Sequence, residues 1–454
     1  MNGLDVNSTP FKAEISAVLG AGGETPCYSF DIEFIVNGES YKPAVILGVT
    51  VINNFIDNYY PILAVEFQTT GFVKSKLIEG NDNIEAIFKT YEIGRNAPYS
   101  ISNLRNPVIK RYMAKLYLEE SDYITQENPA INNEEYIKNK QMVAVKVQLV
   151  EKGFEKLKTR HVGGIYEKTS GFKLLRHLVD YHANLNNDDV ATMIKGVEFA
   201  QNINQEVREQ IVIPHGTTLV QAMHLVNQDS GGIYPTGFSY YIHNNIWHVF
   251  PPYSLGRFKE NNQKLIIVNL PKNRLPGVER TYSETVSLIT VLSTRDVNVK
   301  DKRESKKGSF GTGIRFGDVS KILTGYANVI DNKLRVDASK NVNDLIVSQR
   351  PDDVQQIRFT KQKLTSAKNI ELSKLAPSKG FMMRISWENS KETLIYPGMP
   401  VKVLYLKRNK SVSVVGCVTG CESVYYPMEQ GFPAMKFAVM TYIEVFVSDE
   451  NEQG

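Results

Sequence analysis

At 454 residues the chain is long enough for several hydrophobic cores, and its 42% hydrophobic and 22% charged residues sit near the averages for folded proteins, which argues against a disordered or membrane-embedded chain. The excess of 53 Lys and Arg over 49 Asp and Glu is too small for a dedicated nucleic-acid binder. No window approaches the ~18 apolar residues of a spanning helix, the start MNGLDVNSTPFKAEIS lacks a basic leader and apolar h-region, so export by a cleaved signal is not expected, and an odd count of three cysteines (Cys27, Cys417, Cys421) fits a protein made in a reducing cytoplasm.

Residues 1–95 read as strands. FKAEISAVLG, YSFDIEFIV, KPAVILGVTVI, YPILAVEFQ and the pair in KLIEGNDNIEAIFKTYEI alternate or run apolar between Gly, Asn and Asp clusters, the pattern of an N-terminal β-barrel or sandwich. Asn37-Gly38 is a strong hairpin signal, because a two-residue type I′ turn needs positive φ at both positions. Residues 96–140 read as a loop-rich connection holding one short helix, VIKRYMAKLYLEE.

Residues 141–258 mix helices and strands. QMVAVKVQLVEKGF enters as a strand, and TSGFKLLRHLVDYHAN then puts Phe172, Leu175, Leu178, Val179 and His182 on one helical face with Thr169 or Ser170 as N-cap. VATMIKGVEFAQNI reads as another helix. Thr218 followed by Gln221 has capping-box spacing, Leu219, Ala222, Met223 and Val226 form its buried stripe, and FSYYIH and IWHVF flank Asn244-Asn245 as a tight hairpin. SGFKLLRHLV (170 to 179) and TTLVQAMHLV (217 to 226) align without gaps, as though one helix type were used twice.

Residues 259–380 form a mixed β region: KLIIVNLPKNRLPG and SETVSLITVLST are strands, and 298–318 is an exposed basic loop. Six basic residues from Lys300 to Arg315, with Gly308, Gly311, Gly313 and Gly317, cannot bury a core, so this loop is expected to order only against a partner or neighbouring subunit. FMMRISWEN, MPVKVLYLKRN, SVSVVGCVTGCES and AMKFAVMTYIEVFVS make residues 381–454 the strands of a C-terminal β-barrel. LIEGNDNIEAIF (77 to 88) echoes LIYPGMPVKVLY (394 to 405), as two similar barrels would. The fold class is α+β, mainly β, with barrels near both ends and α+β regions between.

No motif asks for catalysis, and no catalytic, cofactor-binding or metal residue is assigned. All seven histidines lie between His161 and His248, but His177 and His182, like His243 and His248, are five apart, a spacing that converges on neither a helix face nor a strand face. Cys417 and Cys421 lack CxxC spacing and read as buried thiols beside a strand-end turn at Gly420. GSFGTGIRFG matches neither phosphate-binding glycine pattern, and its basic flank reads as a solvated loop, so nucleic acid is not an expected partner. Tyr234, Tyr240, Tyr241, Trp247 and Tyr253 read first as packing, with part of their rim free for an interface. The candidate interface residues are Tyr240, Tyr241, Trp247 and Tyr253, with Lys306, Lys307 and Arg315 on the basic loop.

With the segments in order, the chain resembles the baseplate hub proteins of bacteriophage tails, the class that includes late-control protein D and the hub part of type VI secretion spikes. The likeness is carried by LIEGNDNIEAIF, VAVKVQLVEKGF with GGIYEKTSGFKLLRHLV, PHGTTLVQAMHLV with YYIHNNIWHVF, and LIYPGMPVKVLYL with VVGCVTGCESVYY. The resemblance implies two barrels related to the tail-tube fold, a homotrimer forming a pseudo-hexameric ring, and a non-enzymatic place in the virion between the tail tube and the central spike. The implied partners are the tube protein, the spike protein and other baseplate proteins, without cofactor or membrane. Two further readings stay open: another virion component such as a tube terminator, wedge or neck protein, and a cell-wall hydrolase using the histidine-rich region.

Overall fold

The structure is a computed structural model that describes residues 11–22, 25–80, 83–117, 142–184, 193–201, 204–229, 232–260, 262–271, 279–293, 298–300, 314–316, 327–330, 333–336, 345–347, 373, 376–407, 410–428 and 436–448. The first part runs α1 (Lys12–Leu19), β1 (Pro26–Val36), β2 (Glu39–Tyr41), β3 (Val45–Asn54), β4 (Ile62–Thr70), α2 (Gly71–Glu79), β5 (Ile84–Gly94), β6 (Arg105–Leu116) and β7 (Met142–Glu151). The middle holds α3 (Lys152–Thr159), β8 (His161–Ser170), α4 (Gly171–His182), β9 (Gly196–Phe199), β10 (Val207–Thr218), α5 (Leu219–Asp229), β11 (Ser239–His243) and β12 (Ile246–Phe250). β13 (Lys264–Asn269), β14 (Tyr282–Glu284), β15 (Leu288–Ser293) and β16 (Asn298–Lys300) follow, then the short strands β17 (Ile314–Phe316), β18 (Ala327–Ile330), β19 (Lys333–Val336) and β20 (Leu345–Val347). The chain ends with β21 (Gly380–Glu388), β22 (Pro400–Lys407), β23 (Lys410–Pro427) and β24 (Phe437–Ser448). The mainly β, α+β class is therefore observed.

Both ends of the chain build one 15-stranded sheet. Its pairings close a circuit: β23 joins β3, the path continues through β4, β7, β6, β5 and β1, and β1 meets β24 at Tyr28 and Phe437 before β24 returns to β23. Inside it the alternate residues Ile32, Phe34, Val65, Phe67, Ala86, Phe88, Val147 and Leu149 make one core. On the far side of β23 and β24, the strands β21, β22, β13 and β15 surround a second core with Leu265, Ile289, Ile385, Trp387, Val403 and Val445. Side chains link β21 to the strands facing it: Ser293 Oγ of β15 donates to Ser386 O at 2.7 Å, and Trp387 Nε1 donates to Thr281 Oγ1, just before β14, at 2.9 Å. β13 is parallel to both its neighbours and buried on both faces, as parallel strands are.

Local chemistry accounts for the elements and for where the expectations fail. The Asn37-Gly38 and Asn244-Asn245 turns have φ of 52° and 86°, and 51° and 62°, as type I′ geometry demands. FKAEISAVLG forms α1 instead of a strand: Ile15 and Val18, one turn apart, bury against Val268, Leu270 and Leu292, each contributing about 1.5–3 kcal/mol. KLIEG closes α2, whose N-cap Thr70 accepts from Val73 N at 3.4 Å, and VIKRYMAKL is strand β6, not a helix. GVEF is strand β9, so the predicted helix VATMIKGVEFAQNI is absent over its described residues. Gly420 does not lie in a turn: it is paired with Glu444 inside the 18-residue β23, next to a bulge at Thr419. Residues 118–140 of the predicted connection, and most of the basic loop, lie outside the described residues. No helix among the described residues is long and apolar enough to cross a membrane.

The two aligned helices are structurally equivalent in one respect: each follows one strand of the antiparallel pair β8–β10, and α4 packs on α5. Ser170 Oγ accepts from Lys173 N at 3.4 Å at the start of α4. At α5 the capping box is complete, with Thr218 Oγ1 accepting from Gln221 N at 3.3 Å and Gln221 Oε1 accepting from Thr218 N at 3.1 Å. The predicted stripe Leu219, Ala222, Met223 and Val226 is wholly buried.

Candidate functional site

The aromatic and histidine-rich stretch becomes a three-stranded sheet, β11–β12–β9, with its two faces turned to different cores. Because side chains alternate along a strand, Tyr240, Ile242, Trp247 and Val249 join the helical core of α4 and α5, while Tyr241 and Phe250 join the core of the C-terminal strands. Tyr240 stacks on Trp247 at 5.8 Å and donates from its phenol to Val220 O at 3.0 Å. Tyr241 meets Phe55 edge-on at 4.7 Å and donates to Asn53 Oδ1 at 2.8 Å. This is the seam by which the middle region is bolted to the large sheet.

Three of the predicted interface residues are thereby corrected. Tyr240, Tyr241 and Trp247 are buried within the chain, since two cores claim the two faces of their sheet, and none offers its ring to a partner. Tyr253 alone is half-buried, its ring edge-on to Phe446 at 5.0 Å, on the rim of a hollow of about 270 Å³ shared with Arg384 and Glu444. Lys306 and Lys307 lie outside the described residues, and Arg315 is described only as a member of β17, paired with Ile346 of β20.

The polar face of the seam opens into a cleft of about 850 Å³ whose lining includes Arg176, Glu198, His243, His248, Arg257 and Tyr396. His248 and Glu198 are register partners on β12 and β9, and His248 Nδ1 stands 3.4 Å from Glu198 Oε2. Burial, then the neighbouring His248 and Lys110, hold His243 down at about 4; burial also lowers His248 against the opposing pull of Glu198. Burial thus favours the uncharged form of both rings. The His243 and His248 ring centroids are 6.1 Å apart, and no group of three His, Cys, Asp or Glu among the described residues is placed to hold a metal ion.

Arg257 is buried beneath the cleft, bonded to Glu260 at 3.2 Å and to the carbonyl of Gly398, and so fixes the turn that leads into β22. Nothing in SLGRFKE announces that role; only the tertiary position of Gly398 does. The three cysteines are free and buried, and burial pushes the Cys417 thiol up to about 11.

A second feature is an open edge. The half of β6 from Arg105 to Arg111 is exposed throughout, including Val108 and Ile109, and follows a loop carrying the exposed Tyr99 and Ile101. Sequence reasoning missed it because the segment reads as a helix.

No protein-family model matches the chain, and no curated protein matches it in sequence. Among solved structures it is similar to a tail protein from Neisseria meningitidis MC58, at 9% identity over 92% of this chain and 96% of that one, with a TM-score of 0.44. It is similar to the 43 kDa tail protein of prophage MuSo2 from Shewanella oneidensis, at 8% identity over 93% and 99% of the two chains, with a TM-score of 0.43. An Escherichia coli type VI secretion system component, described as structurally similar to phage T4 tail proteins, gives 9% identity over 92% and 77%, with a TM-score of 0.38.

Proposed function

We propose that this chain is a structural component of a phage tail baseplate, a hub that joins the tail tube to the central spike as a homotrimer with two barrel-like lobes per subunit. The carrying observation is the sheet itself. β23 and β24 pair on one side with β3 and β1 and on the other with β22 and β21, so two hydrophobic cores share one hydrogen-bonded wall. Such a wall transmits load without a hinge, because sliding one lobe past the other would break the ladders of both. The sequence resemblance to tail hubs supports the same reading, and supplies its threefold symmetry, its tube and spike partners and its place in the virion. In this reading the middle region, bolted on through Tyr240, Tyr241 and Trp247, decorates the ring and performs no chemistry.

The experiment is a count. Native mass measurement of the purified protein, and quantitation against the tube protein in intact particles, are expected to give a trimer and three copies per tail. A strict monomer absent from particles defeats the proposal, and six or twelve copies assign the chain to a terminator, wedge or neck.

A further inference from the structure

We propose that the overhanging half of β6, Arg105–Arg111, is a docking edge for an extended strand of a partner protein that carries carboxylates on either side of an apolar pair. This goes beyond the hub reading and does not depend on it. On one side, β5 pairs with β6 from Arg105 to Ala114. On the other, β7 reaches only from Tyr112 to Leu116, and at Glu151 the chain leaves the strand for α3. No other strand among the described residues pairs with residues 105–111, so a row of backbone donors and acceptors faces outward.

Proteins blunt such an edge with charge, proline or a bulge; here Arg105, Pro107, Lys110, Arg111 and a register shift opposite Thr90–Glu92 do so only in part, since Val108 and Ile109 are still 51% and 59% exposed and Ile101 on the preceding loop is 84% exposed. The edge is also held in place. Lys436 Nζ, itself buried, donates to Arg95 O at 3.2 Å and to Ala97 O, Arg95 Nη1 donates to Asn389 Oδ1 at 2.9 Å, and Asn106 Nδ2 donates to Glu92 Oε2 at 2.7 Å. An arriving strand meets a preorganised template, the condition under which strand addition binds well.

Charge selects the occupant. Lys110 is engaged by Glu151 at 2.9 Å, whereas Arg105 and Arg111 stand exposed at the two ends of the apolar pair. A second copy docking antiparallel about Val108 would set Arg105 opposite Arg111 at both ends and Pro107 opposite Ile109, which opposes self-pairing. An acidic strand from a different protein meets both arginines favourably.

The test uses the full-length protein and a fluorescent synthetic strand peptide of alternating valine and glutamate, with its valine–lysine counterpart and a single-stranded oligonucleotide as the other arms. The acidic peptide is expected to bind and to protect from hydrogen exchange the alternate amides of residues 106–111 that face away from β5. Arg105→Glu with Arg111→Glu should weaken it by at least about tenfold, while the paired lysine variants retain it. Equal binding of the lysine peptide, binding of the oligonucleotide alone, binding that survives the charge reversal, no binding at all, or self-association abolished by Ile109→Lys each overturns the proposal.

Discussion

Glu392 stands in the short helical turn between β21 and β22 with its carboxyl enclosed; the carboxyl takes hydrogen bonds from Ser423 and Tyr425, yet its Oε2 has no partner among the described residues. Burial raises its pKa above the ordinary 4.5, against those two hydrogen bonds and the pull of Lys110. A raised carboxyl contributes its stability while protonated, so the contribution is complete below pH 4.5 and is lost as pH climbs through the folded value. Glu392→Gln keeps the shape of the protonated acid without its charge. It is expected to stabilise by about 1–3 kcal/mol at pH 8, the gap to wild type closing toward pH 4.5; parallel melting curves across that range would rule this out. His243 has the opposite sign. Its folded value of about 4 lies below the ordinary 6.5, so the unfolded chain takes up a proton first and stability falls as pH drops from 6.5 toward 4. The loss amounts to up to about 3 kcal/mol. In His243→Asn the urea midpoint should change less between pH 7 and pH 4.5 than it does in wild type.

Among the elements, the capped helix α5 was legible because its signals are local: a hydroxyl and an amide three residues apart, then an apolar stripe of helical period. Thr218→Ala removes one partner of that box and should cost about 1 kcal/mol in denaturant unfolding, with no change in the m-value. The hairpins were legible for the same reason, since Asn-Gly and Asn-Asn tolerate the positive φ their turns demand. α1, α2, β6 and β9 were misread where short apolar runs fit either period and the deciding partner is distant: α1 is a helix because Ile15 and Val18 meet Leu270 and Leu292, more than 250 positions away. The same distance hid the role of the aromatic stretch. Its alternation gave a strand hairpin, but only the second core, brought up from the C-terminal strands, turns Tyr241 from a rim residue into a buried one. Crossing strands place their own demand on glycine. A Cβ on Gly416 would stand 1.8 Å from Phe446 O, whereas on Gly48 it would have an ordinary contact of 3.7 Å with Tyr425 O. Gly416→Ala is therefore expected to lose 3 kcal/mol or more, roughly the upper end of overpacking costs, or to yield insoluble protein. Gly48→Ala, the matched control, should melt near wild type.

For the molecule as a whole, the decisive property is that its sheet closes on itself through residues about as far apart as the chain permits. Tyr28 pairs with Phe437, and Thr50 with Val424, so neither the N-terminal nor the C-terminal strands can satisfy their ladders alone. Sequence patterns show the strands of each end but not that β23 and β24 belong to both cores, because pairing partners separated by most of the chain leave no local trace. The architecture predicts slow folding, since loop closure over that span precedes any return from the contacts it permits. It also predicts mutual dependence. Residues 1–260 expressed alone present β1 and β3 as open, apolar edges and should aggregate or remain unprotected in hydrogen exchange. Supplying residues 261–454 in trans should restore solubility, with amides of β1, β3, β23 and β24 then exchanging at one common free energy, as a single cooperative unit does. If residues 1–260 instead fold alone with β1 and β3 protected, the shared wall is dispensable, and its proposed role in transmitting load between the lobes fails with it.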